Sequence, residues 1–85
     1  MNNNIDNFKK KLIYRSQYRG TREMDKLIGL FVKKYINEFD EKDLQDLEVF
    51  LNYDDDTLYK VYKKELDLSN LIETKITNLF MNFTI

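Results

Sequence analysis

Met24, Leu27, Ile28, Phe31, Tyr35 and Phe39 recur at steps of three and four, the spacing that lines side chains along one face of a helix. No proline interrupts that stripe or occurs anywhere else, and glycine stands only at positions 20 and 29. A chain so poor in breakers favours helices joined by tight polar connections. The pattern predicts an all-α fold: one small domain spanning residues 1–85, with five helices near 5–17, 21–37, 41–51, 57–64 and 69–82. Eighty-five residues suffice for a single core with little stability to spare.

Local signals support each helix. Ile5, Phe8 and Leu12 point the first one inward and leave Lys9, Lys10 and Lys11 outside. Gly20 or Thr21 can start the second, where Glu23 and Asp25 suit the positive end of the dipole. Asp40 is a good N-cap for the third, with Leu44, Leu47 and Leu51 inward. One of Asp54, Asp55 and Asp56 caps a short fourth helix containing Leu58, Val61 and Tyr62, and Lys60, Lys63 and Lys64 suit its C-terminal end. Ser69 can cap the last, whose stripe is Ile72, Ile76, Leu79, Phe80 and Phe83. Whether the apolar tail over 79–85 packs on the bundle, pairs with another copy or stays mobile is left open by the pattern.

Cysteine and histidine are both absent. That removes disulfides, the usual zinc sites, the commonest general base and every Ser-His or Cys-His pair. We therefore expect no catalytic residue, no metal ligand and no stably bound cofactor. The Asp54, Asp55 and Asp56 run lacks the alternating ligands, central glycine and distal glutamate of a calcium loop, so capping is the better reading. Six tyrosines and six phenylalanines fall mostly at core-facing positions.

Net charge is −1, yet residues 1–37 carry +6 and residues 38–73 carry −8. The halves either neutralise each other or form opposed faces that orient a partner. The three lysines at 9–11 could touch phosphates, but the acidic balance and the lack of a reading motif argue against nucleic acid. The longest apolar run, residues 27–32, is far too short to insert in a membrane. No signal-peptide core is present, and a mitochondrial transit peptide would have to displace the first helix, so a bacterial cytoplasm is expected.

One segment stands apart. All three arginines, Arg15, Arg19 and Arg22, lie within eight residues, against eleven lysines spread along the chain. Two of them flank Gly20 in the sequence Arg-Gly-Thr-Arg-Glu-Met-Asp, at the entrance to the second helix. Glycine permits positive φ and close approach, and guanidinium forks can bind carboxylate, phosphate or carbonyl groups in pairs. Glu23 can lock Arg19 or face a partner. A capped helix start with an incidental glycine explains the spacing about as well.

The segment from Arg15 to about Tyr62 resembles the SdhE family of succinate dehydrogenase flavinylation factors, whose mitochondrial relatives are called succinate dehydrogenase assembly factor 2. The family hallmark, Arg-Gly-x-x-Glu followed by a hydrophobic residue and Asp, stands here as Arg19, Gly20, Glu23, Met24 and Asp25. An amphipathic helix, an acidic helix start at Asp40, and an Asp-rich turn before Leu58 and Tyr59 follow in the family's order. Thr21, Asp56 and Val61 depart from the methionine, proline and tryptophan common at those places.

The resemblance implies a small bundle of about five helices. It implies a non-catalytic, chaperone-like FAD assembly factor that binds the flavoprotein subunit of succinate dehydrogenase, or of fumarate reductase, and promotes its covalent flavinylation. FAD would be attached in the partner, with Arg15, Arg19, Gly20, Arg22, Glu23 and Asp25 as partner-binding residues on a monomer. The competing readings are a helical regulator or antitoxin-like module with no flavin role and, ranked below it, a nucleic-acid binder.

Overall fold

A computed structural model describes residues 3–65 and 73–84. They form α1 (Asn3–Gln17), α2 (Arg22–Tyr35), a 3-10 turn (Ile36–Glu38), α3 (Glu41–Leu51), α4 (Asp55–Tyr62) and α5 (Lys75–Met81). No strand occurs among the described residues, and the fold is all-α. Helix α1 packs on α2 and α3, and α5 packs on α3 and α4.

Caps set most boundaries. Thr21 is extended at φ −120° and its hydroxyl accepts from the Met24 amide at 3.2 Å, so threonine, not Gly20, starts α2. The methionine common in the family could not make that bond. Tyr35 ends α2 two residues before the expected 37, where the chain tightens into the 3-10 turn. Asp40 and Asp43 cap α3 reciprocally, at 2.8 Å and 3.3 Å.

Asp54 accepts from the Thr57 amide at 2.7 Å, so α4 starts at Asp55, two residues before the expected 57. It also stops at Tyr62, before the expected 64. Lys63 is its C-cap and Lys64 lies beyond, with φ +61°. The last helix differs most. Thr74 and Thr77 form a capping box that starts α5 at Lys75, not near 69. Ser69 and Ile72, expected as its cap and first inward residue, lie outside the described residues.

Most residues of the predicted stripes are buried, and Ile5, Phe8, Tyr35, Tyr62 and Leu79 pack half-buried against them. Phe31 on α2 is inaccessible and meets Phe50, Phe80 and Phe83 at ring-centroid distances of 5.8, 5.2 and 5.5 Å. Truncating such a residue to alanine costs about 3–5 kcal/mol in well-packed cores. Phe83 is 5% exposed, so the tail packs on the bundle through its described part. Val61 is fully buried where the family commonly places tryptophan, and the Tyr62 and Phe80 rings meet at 5.2 Å beside it. Lys9 is half-buried, whereas Lys10 and Lys11 are exposed as expected.

Candidate functional site: the elbow between α1 and α2

Residues 18–21 turn the chain from α1 into α2, and the turn rests against the connection from α3 to α4. Arg19 makes the joint. Its side chain is 8% exposed, and Nε donates to Asp55 Oδ1 at 2.7 Å. Nη1 donates to the Leu51 carbonyl at 2.8 Å and Nη2 to the Tyr53 carbonyl. One planar fork thus ties the elbow to the end of α3, the following turn and the start of α4. A lysine ammonium could not reach three such acceptors in fixed directions.

Asp25 closes the other side. Its Oδ1 accepts from the Arg19 amide at 2.5 Å and from the Gly20 amide at 3.3 Å, folding the elbow back on the first turn of α2. Gly20 has φ +137°, a region L side chains rarely adopt. A Cβ there would lie 3.6 Å from Asp55 Oδ2, an ordinary contact. Backbone conformation, not crowding, therefore requires glycine, and the exposed corner is open to an approaching surface.

Of the remaining motif residues, Met24 is buried in the core and the charged pair faces outward. Arg22 and Glu23 are exposed and form no hydrogen bond or ion pair among the described residues. Asp55, not Glu23, holds Arg19, and the Glu23 carboxylate stands exposed. Beside it an open cleft of 540 Å³ is lined by Thr21, Glu23, Met24, Asp55, Asp56 and Tyr59. Arg15 Nη2 donates to Asn52 Oδ1 at 2.6 Å.

The aspartate run divides its labour. Asp54 caps α4, Asp55 binds Arg19, and Asp56 pairs with Lys60 at 3.1 Å on the exposed face. Hydrogen bonds from the Thr57 hydroxyl and amide lower the Asp54 carboxyl below its ordinary value of 3.8. Sequence reasoning singled out Arg19, Gly20 and Asp25, which the fold does bring together. It missed Asp55 and Asn52 as partners of the arginines, because nothing local links residues 36 or 37 positions apart. The opposite charges of the two halves were the available hint for Asp55. The carbonyls of Leu51 and Tyr53 leave no side-chain signal at all.

Residues 10–83 match the Sdh5 family, described as flavinator of succinate dehydrogenase. The chain belongs to the Sdh5 family. Relatives carry the name succinate dehydrogenase assembly factor 2, mitochondrial. The protein of Scheffersomyces stipitis is 39% identical over 61 residues, 72% of this chain and 41% of the relative. That of Dictyostelium discoideum is 31% identical over 75 residues, 88% of this chain and 53% of its own length. That of Saccharomyces cerevisiae is 33% identical over 70 residues, 82% and 43%. The chain thus spans about half the length of these relatives.

No solved structure matches it. The Sdh5 description and the relatives' names are those of an assembly factor, not of an enzyme. They also correct the expectation of a bacterial cytoplasm, because the relatives are named as mitochondrial. Among the described residues no helix is long and apolar enough to cross a membrane.

Proposed function

We propose that this protein binds the flavoprotein subunit of succinate dehydrogenase and promotes covalent attachment of FAD to a histidine of that subunit. The observation that carries the reading is the Arg19-Gly20-Glu23-Asp25 motif, folded as a clamped, outward-facing elbow in a chain matching the flavinator family over residues 10–83. With neither histidine nor cysteine in this chain, the bond-making groups belong to flavin and partner. The helper's contribution is a rigid surface. By binding most tightly to a flavoprotein conformation in which histidine and flavin are aligned, it raises the population of that conformation.

In this reading Arg19 and Asp25 act through the elbow, and Gly20 supplies the open corner. Arg15, Arg22 and Glu23 meet the partner. The flavoprotein of fumarate reductase, which presents the same attachment problem, is a second client. The chain acts as a monomer and holds no FAD stably of its own.

The test is to co-express the chain with the flavoprotein subunit and measure flavin fluorescence of the denatured subunit in a gel. Gly20→Arg and Glu23→Ala should each lower covalent flavin. Unchanged covalent flavin with both variants normally folded would remove the motif from the function.

A further inference from the structure

Tyr14 and Tyr18 are 64% and 68% exposed, the most exposed large hydrophobic side chains among the described residues. Their rings meet at 4.6 Å in a tilted pair. Together with Arg15, Arg19, Asn52 and Tyr53 they line an open groove of 380 Å³ that shares no lining residue with the Glu23 cleft. The charges in that groove are unequal. Arg19 is neutralised by Asp55, but Arg15 bonds only the neutral Asn52 amide and has no carboxylate partner among the described residues. Helix α1 adds Lys9, Lys10 and Lys11 against the single Asp6.

Resting on the reading above, we propose that this groove receives an acidic, extended segment of the flavoprotein partner, with a carboxylate on Arg15 and neighbouring side chains laid across the two tyrosines. Tyrosine and arginine are the residues that most often dominate protein interfaces, since they combine rigid area with directed hydrogen bonds. Asn52 holds the guanidinium through one nitrogen and leaves donors for a carboxylate. A small molecule fits the site less well, because small-molecule pockets cover most of the ligand's surface and this groove is wide open. A chain segment running past the tyrosines needs no such enclosure.

The experiment is calorimetric titration of the purified chain into the purified flavoprotein subunit, with sedimentation of the chain alone beside it. Arg15→Glu should weaken binding by about tenfold or more and Tyr18→Ala by about fivefold, in line with interface truncations of this type. Arg15→Gln should fall between Arg15→Glu and the unaltered chain. Lys33→Glu, the same charge change on an exposed site of α2, should stay within about twofold.

Binding within twofold for both Arg15→Glu and Tyr18→Ala, with unchanged melting curves, would overturn the assignment. So would equal losses from Arg15→Glu and Lys33→Glu, which would mark a long-range field in place of a groove. Self-association of the chain that Arg15→Glu abolishes would assign the groove to a second copy. If the unaltered chain does not bind the flavoprotein at all, the proposed function itself falls, which the variants alone cannot cause.

Discussion

Arg19 donates from three nitrogens to Asp55 and to the carbonyls of Leu51 and Tyr53. Arg15, four residues earlier, makes one hydrogen bond to Asn52, and Arg22, three residues later, has no partner among the described residues. The sequence presents the three as one cluster, but the fold separates them into a joint and two outward charges. The contrast teaches that a motif arginine can serve recognition at second hand, by fixing the surface that its neighbours present. Removing the joint should then disturb stability first and binding in consequence, whereas removing an outward charge should disturb binding alone.

The strongest way to break the contrast is Arg19→Ala. The variant leaves Asp55, 22% exposed, without its cation and two carbonyls without their donor. Loss of one partner from a largely buried pair costs about 3 kcal/mol. Urea unfolding should show that loss in full, and Arg19→Lys should recover part of it by keeping the charge without the fork. If Arg19→Ala unfolds like the unaltered chain, the joint is no joint.

Gly20 and Gly29 repeat the comparison with smaller effects and opposite signs. Gly20→Ala forces a side chain into φ +137°, and such strain costs about 1–2 kcal/mol. Gly29 lies inside α2, where its Cβ would meet Gln17 Cγ at 3.5 Å and the Ser16 carbonyl at 3.8 Å, both ordinary contacts. Gly29→Ala should therefore stabilise by about 0.5–1 kcal/mol through helix propensity. In a domain this small, that shift moves the melting temperature by several degrees in thermal unfolding. Destabilisation by Gly29→Ala would show that α2 and the end of α1 fit more tightly than those distances allow.

Arg22→Ala should change stability by no more than about 0.5 kcal/mol, as exposed charges usually do, and Arg15→Ala, which removes one hydrogen bond from a half-buried side chain, by about 1 kcal/mol at most. Their effect should appear in flavoprotein binding. Comparing their unfolding midpoints with that of Arg19→Ala separates the two kinds of arginine directly.

Much of this division was beyond sequence reading for a physical reason. Helix stripes are set by near neighbours, so the buried faces of α2 and α3 could be read from spacing alone. Caps were half legible. Asp40 is clear, but three adjacent aspartates cannot show which one caps, and Ser69 satisfies the capping pattern as well as Thr74, which caps α5. The elbow was visible as an odd glycine between arginines, while its inward direction was not. Direction depends on which distant acceptors lie behind it, and two of those are backbone carbonyls. Tyr18 was equally hidden, since an aromatic just past a helix end reads the same whether it packs or projects.

The smallest effect concerns the same aspartate run that supplies Arg19's partner. Hydrogen bonds from Thr57 lower the Asp54 carboxyl, so the folded state binds its proton less readily than the unfolded chain does. Its contribution is complete above the ordinary value of 3.8 and disappears as pH falls through the lowered folded value. Asp54→Asn keeps a capping oxygen but cannot titrate, and it forgoes the favourable charge at the α4 N-terminus. Urea midpoints from about pH 6 to about pH 3 should show the unaltered chain more stable at the upper end and the gap closing toward the lower. A gap that stays constant across that range would mean the carboxylate charge adds nothing to the cap. The support beneath Asp55, and so beneath Arg19, would then rest on the hydrogen bond alone.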